Sequence, residues 1–150
     1  MTAVPRLLLG RGIIRARHKP LSIVFSSNTN VGKTLLSGGL INAAHEKLAS
    51  THLVYYLKPI QTGFPVDSDA RFVREITPSV AVENVYTFTD PVGPHVAAKR
   101  EKRAVTDQML VYETTKRIVH FDDLAKERGG VGTFGLIETA GGVNSPTMAG

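Results

Sequence analysis

The sequence predicts an α/β fold in which a parallel sheet is flanked by helices. Two observations carry this expectation. Short apolar runs rich in branched residues, Leu21 to Ser26 and His52 to Lys58 among them, have the character of strands buried in parallel sheets. Between them lie stretches whose apolar residues recur at helical spacing, and such alternation builds a parallel sheet. The material suffices for one domain, because 150 residues with a hydrophobic fraction of 42% can form a packed core. Cysteine is absent, which removes disulfides and thiolate metal sites and suits a reducing interior compartment.

The first segment, "MTAVPRLLLGRGIIRARHK", stands apart from this body. Arg6, Arg11, Arg15, Arg17, His18 and Lys19 all precede the first acid, Glu46. Residues 1–19 bear arginines, lack acids and have apolar residues between the basic ones, so an organelle transit peptide and mitochondrial import are expected. The plainer alternative is a frayed basic N-terminus on a cytoplasmic protein, since serine is scarce and Pro5, Gly10 and Gly12 weaken a helix. A secretory signal does not fit, because "LLLG" is short and flanked by arginines, and no run is long enough to span a membrane. The formal charge of +5 is concentrated in this leader. What remains is near balance and has no basic stripe with interleaved aromatics, so neither nucleic acid nor membrane is an expected partner.

The body then reads in order. "LSIVFS" is a buried first strand. From Lys33 a helix follows, with Leu36, Leu40, Ala43, Ala44 and Leu48 inward and His45, Glu46 and Lys47 outward. "HLVYYLKP" is a second strand, ended at Lys58 by Pro59. "SDARFVREI" is a short helix, and "YTFTDPVGPH", with two prolines and a glycine, is largely loop. A helix spans roughly Thr106 to Lys126, and "GTFGLIETAGGVNSP" supplies a third strand that stops at Glu138 and opens into a glycine turn.

Ligands of open parallel sheets sit at the carboxyl ends of the strands. Three polar clusters occupy those ends here: Asn28 to Thr34, "KPIQTG" and "ETAGG". The first holds Gly-Lys-Thr between a strand and a helix, where exposed backbone amides and the helix dipole favour anionic oxygens. Gly32 permits close backbone approach, Lys33 reaches the terminal phosphates and the Thr34 hydroxyl suits Mg²⁺. The usual pattern has a glycine where Ser27 stands, a lack that matters only if the turn there needs positive φ. Gly-Lys-Thr alone fits a helix start with a surface lysine equally well; its strand and helix flanks favour phosphate.

Mg²⁺ shared with phosphate asks for carboxylates and hydroxyls. Asp67 and Asp69 follow the second strand, where they also suit a helix cap. Glu138 ends an otherwise apolar strand, so it is either solvated at the edge or turned toward a cation. Lys58 falls at the same edge as Lys33, and two lysines directed at one place suit phosphoryl transfer to a carboxylate-like acceptor. Of the histidines only His95 falls in a loop near this edge; His18, His45, His52 and His120 have no metal-ligand spacing.

Taken in order, "NTNVGKT", "LKPIQTGFPVDSDARFV", "GPHVAA" and "ETAGGVNSP" resemble dethiobiotin synthetase, the ATP-dependent ligase of biotin biosynthesis. The resemblance is nearest to the synthetase portion of the eukaryotic bifunctional enzyme, joined there to a diaminopelargonate aminotransferase, and runs from about Leu21 to Gly150. It implies a P-loop NTPase-like fold and the substrates 7,8-diaminononanoate, CO₂ or bicarbonate, and ATP. A carbamate forms, ATP converts it to a carbamic-phosphoric anhydride, and the second amine closes the ring with loss of phosphate. It further implies Mg²⁺ as cofactor and a homodimer for a full-length member. By position, Lys58 matches the catalytic lysine at carbamate and γ-phosphate, with Lys33 beside it, and Thr29 and Thr62 match substrate contacts. Asn30, Val31, Gly32, Lys33, Thr34 and Leu35 match the ATP loop, and Thr34, Asp69 and Glu138 the magnesium ligands. Thr139, Ala140 and Gly141 follow as further ATP contacts.

The chain departs from this pattern in places. Ser26 and Ser27 replace the glycine-bearing start of the bacterial loop, Asn30 stands where bacterial members are acidic, and Gly93 replaces a common serine. Family members continue well beyond "AGGVNSP" with further strands, an adenine-recognising segment and much of the dimer interface. Residues 20–150 are therefore expected to be the N-terminal part of such a domain, truncated at its C-terminus, with a strand edge left unpaired. Two alternatives remain: a regulatory P-loop ATPase of the partitioning type, disfavoured because Asn28 holds the place of its extra lysine, and a non-catalytic truncated remnant.

Overall fold

The computed structural model describes residues 19–142. Residues 1–18 of the expected leader, and the end of the glycine turn from Val143 onward, lie outside them. In chain order the elements are β1 (Leu21–Val24), α1 (Lys33–Leu48), β2 (His52–Gln61), α2 (Asp69–Ile76), β3 (Ala81–Thr87), α3 (Pro94–Arg100), α4 (Asp107–Glu127) and β4 (Gly132–Glu138).

Among the described residues the sheet has four strands in the order β1-β4-β2-β3, every neighbouring pair parallel. The expected α/β class is what forms. β4, last in sequence, inserts between β1 and β2, so Glu138 ends a strand with a neighbour on either side and is fully buried. The apolar faces pack in two layers. Val54, Tyr56, Val82 and Leu136 meet Ile41 of α1 and Val73 of α2 on one side. Leu53, Tyr55, Leu57 and Ile137 meet Phe121 and Ala125 of α4 on the other. There Tyr55 stacks on Phe121 with ring centroids 4.2 Å apart, an arrangement worth about 0.5–1.5 kcal/mol beyond burial. Gly135 makes room for it, because a Cβ at that position would lie 2.3 Å from the Tyr55 ring.

Helix starts follow local chemistry. Ser68 caps α2 by accepting from the Arg71 amide at 3.2 Å, and Thr106 caps α4 by accepting from Met109 at 3.1 Å. α3 opens with Pro94 at its first position.

Several expectations are corrected. The first strand is shorter than Leu21 to Ser26 and is an exposed edge, with Ile23 60% and Phe25 71% accessible, because β1 is paired on one side only. The inward face of α1 is Ser37, Gly38, Ile41 and Ala44, while Leu36 and Leu40 are exposed. Gly38 lets this face sit tightly on α2, its added Cβ falling 2.9 Å from Ile76. β2 runs through Pro59 to Gln61. Beyond Leu57 it pairs only with β3, so a residue without an amide proton is tolerated there. "AVENVYT" is a fourth strand, β3, that the sequence hides because as an edge it carries Glu83 and Asn84. "PHVAAKR" is helical, its small residues Ala97 and Ala98 packing on Ile60 and Phe88.

Candidate active site

The turns after β1, β2 and β4 line one cleft of about 920 Å³, closed on its far wall by Phe72 and the segment Pro91 to Pro94. Its floor is built from the phosphate-loop candidate. Gly32 adopts φ +87°, a left-handed conformation natural to glycine, and it starts α1 with neither a side-chain cap nor an acid in the first turn. The leading amides of α1 therefore face the cleft as anion donors. Asn30 is left-handed too, at φ 55°, a conformation asparagine tolerates. Ser26 and Ser27 are not among the positive-φ residues, so the turn needs no glycine at either place. The unusual loop is thus stereochemically complete.

The loop is stapled to the end of β4. The Gly142 amide donates to Ser26 O at 3.2 Å and the Thr139 amide to Val24 O at 3.0 Å. Gly141 passes so close that an added Cβ would lie 2.7 Å from Asn28 O and 2.8 Å from the Thr29 amide nitrogen. The first glycine of "ETAGG" is thereby explained by a backbone crossing.

At the inner end of the cleft four side chains from four elements converge. The Thr34 hydroxyl is 2.8 Å from Asp69 Oδ1 and 3.0 Å from Glu138 Oε1. Lys58 Nζ lies 2.5 Å from Asp69 Oδ2 and 2.8 Å from Glu138 Oε1. Lys58 and Glu138 are buried, so each removes a charge from water only because the other is there. Lys33 lines the same cleft but turns aside, donating to Ser26 Oγ at 2.9 Å and to Asn28 O at 3.1 Å. The two lysines share a cleft and no partner.

Of the other residues expected here, Thr29, Asn30, Leu35, Thr62, Ala140 and Gly141 line the cleft. Val31 is exposed outside it, and Thr139 is spent on the β1 backbone. His95 sits on α3 and does not line the cleft; its Nδ1 is buried with no partner among the described residues.

Two residues of this site escaped the sequence analysis. Gln61 donates to Thr62 O and Asp67 O and accepts from the Asp69 amide at 3.0 Å, which fixes the start of α2 against the end of β2. Tyr56 donates its phenol to Glu138 Oε2 at 3.0 Å. Burial first, then the charges of Glu138 and Asp69, push that phenol far above the ordinary tyrosine range, so it is a permanent donor. Alternation was the available signal for Tyr56, which stands two positions before Lys58 on the same strand face.

The donor set suits a hard divalent cation. Thr34, Asp69 and Glu138 bring a hydroxyl and two carboxylates together, all oxygen. Among the described residues no cluster of three or more His, Cys, Asp or Glu forms a cage.

A family model described as "AAA domain" matches residues 22–148. The chain belongs to this AAA domain family. Among similar proteins, the "Bifunctional dethiobiotin synthetase/7,8-diamino-pelargonic acid aminotransferase, mitochondrial" of Oryza sativa subsp. japonica is 33% identical over 87% of this chain and 22% of its own length. The "Bifunctional dethiobiotin synthetase/adenosylmethionine-8-amino-7-oxononanoate aminotransferase" of Emericella nidulans is 38% identical over 82% of this chain and 15% of its own. The "ATP-dependent dethiobiotin synthetase BioD" of Streptomyces coelicolor is 30% identical over 82% of this chain and 51% of its own. This AAA domain chain thus spans about a fifth of the bifunctional relatives and about half of the single-function one. Its resemblance to dethiobiotin synthetases extends over most of its length. No helix among the described residues is long and apolar enough to cross a membrane.

Proposed function

We propose that this chain is part of a dethiobiotin synthetase, in which the cleft binds ATP with Mg²⁺ and carries 7,8-diaminononanoate and CO₂ to dethiobiotin. The observation that carries this is that Thr34 and Lys58 each bridge Asp69 and Glu138, in the cleft lined by the uncapped start of α1.

The leading amides of α1 hold the polyphosphate, and Lys33 swings from Ser26 and Asn28 to join them. Thr34, Asp69 and Glu138 hold Mg²⁺, which when bound neutralises phosphoryl oxygens as charge gathers on them. Lys58 shares Glu138 Oε1 with Thr34 and takes the second oxygen of Asp69, placed to steady the γ-phosphoryl group and the carbamate oxygen that attacks it. Thr29 and Thr62, which both line the cleft, position the diamine. The carbamate oxygen attacks the γ-phosphorus of ATP, the bond from that phosphorus to the bridging oxygen breaks, and ADP leaves. The second amine then attacks the carbonyl carbon, and inorganic phosphate leaves.

Phosphate release from ATP tests this. The expected result is release that requires diamine and bicarbonate together. Equal release from ATP alone would favour a partitioning-type regulatory ATPase, and none under any condition a non-catalytic remnant. We also propose a mitochondrial address, supported by the leader composition and by the rice and Arabidopsis thaliana relatives named as mitochondrial. Residues 1–19 fused to a fluorescent protein should reach mitochondria; a diffuse signal would contradict it.

A further inference from the structure

Glu138 is the hub of the site, and its two oxygens are used differently. Oε1 accepts from Thr34 at 3.0 Å and from Lys58 at 2.8 Å, the two groups that face the cleft. Oε2 faces the core, where the Tyr56 hydroxyl donates to it at 3.0 Å. Tyr56 is 0% exposed, its ring held among Ile41, Ala44, Val73 and Leu136. The terminal torsion of a glutamate is soft and two-fold, so the backbone alone does not fix the plane of the carboxylate. A donor on a ring locked in the core does.

We propose that Tyr56 is a positioning residue: by pinning Glu138 Oε2 it sets the plane of the carboxylate, so that Oε1 meets Thr34 and Lys58 and is presented to the divalent cation. This rests on reading the cluster as the nucleotide and metal site. Groups that orient a ligating carboxylate typically govern metal affinity or activity by about 10–100-fold. Tyr56 touches neither nucleotide nor metal, so its influence passes through Glu138 alone.

Tyr56→Phe keeps the ring and removes the donor. In the full chain, calorimetry with a non-hydrolysable ATP analogue gives the Mg²⁺ concentration for half-maximal binding. The expected result is a rise of about tenfold or more in that concentration, with analogue affinity in the absence of Mg²⁺ unchanged. A folded Tyr56→Phe chain with the same Mg²⁺ dependence as the parent overturns the proposal. A second variant, with p-aminophenylalanine installed at position 56, returns a weaker N–H donor and should recover part of the Mg²⁺ dependence. A folded chain showing no recovery also overturns it, since only packing would then be at stake. A parent chain whose analogue binding ignores Mg²⁺ fails differently: it removes the metal reading of the cluster itself.

Discussion

Lys58 is the residue on which the chemistry turns, because among the described residues it is the cation placed between Asp69 and Glu138. Lys58→Ala is expected to abolish substrate-dependent phosphate release while changing ATP affinity less than about tenfold, since the loop and α1 amides stay in place. It should also lower stability by about 3 kcal/mol, the low end for an unpaired buried charge, because Glu138 keeps Thr34 and Tyr56. Urea midpoints read the second effect, and normal turnover in the variant would contradict the first. Gly141→Ala brings a methyl group within 2.7 Å of Asn28 O. It should weaken ATP binding by about tenfold or more, equal to 1.4 kcal/mol, and an unchanged titration would mean the loop tolerates displacement. At this scale the sequence shows chemistry better than orientation. Lys58 and Glu138 are legible as polar ends of apolar strands and Thr34 from Gly-Lys-Thr, whereas the residues alone suit Asp69 to a helix cap and only the resemblance singles it out. The turning aside of Lys33, the hidden donor on Tyr56 and the bridging amide of Gln61 depend on side-chain direction, which motif spacing does not encode.

Among the elements, α1, α2, β2, β4 and α4 are legible because each has a long apolar pattern or a cap. β3 and α3 are not: one is a polar edge strand, the other a short alanine-rich helix entered through a proline. The face of α1 was misjudged for a physical reason, since its tight contact with α2 selects Ser37 and Gly38 over larger neighbours. The packing of α4 on the sheet carries a pH signature. Burial, with a smaller contribution from Asp122, pushes the Tyr55 phenol from an ordinary value near 10 up to about 12. Above pH 10 the unfolded phenol gives up its proton while the native one keeps it. Stability from this group is therefore full below pH 10 and is lost as pH rises through 10 to 12, at up to about 1.4 kcal/mol per unit. Tyr55→Phe should flatten the alkaline limb of a stability profile, and an unaltered slope would place the effect elsewhere.

For the molecule as a whole, the parallel sheet and its ligand edge were legible, because strand ends in such sheets must converge. That the unpaired edge would be β1 was not, since the order β1-β4-β2-β3 follows from β4 inserting between β1 and β2. Leu21, Ile23 and Phe25 make this edge an accessible apolar margin, and Leu36 and Leu40 of α1 are exposed as well. Such margins promote association, so sedimentation of the chain should show concentration-dependent self-association that Ile23→Lys with Phe25→Lys reduces. Loss of association should leave stability within about 0.5 kcal/mol, as at other surface positions. Equal association in the variant would mean that another surface is responsible.

The central claim is that this cleft makes dethiobiotin. It is tested most directly by mixing the purified chain with 7,8-diaminononanoate, bicarbonate, ATP and Mg²⁺ and following dethiobiotin by mass spectrometry. Product well above that of a Lys33→Ala chain is the expected result. A folded chain that binds ATP yet makes no more product than the Lys33→Ala control would contradict it.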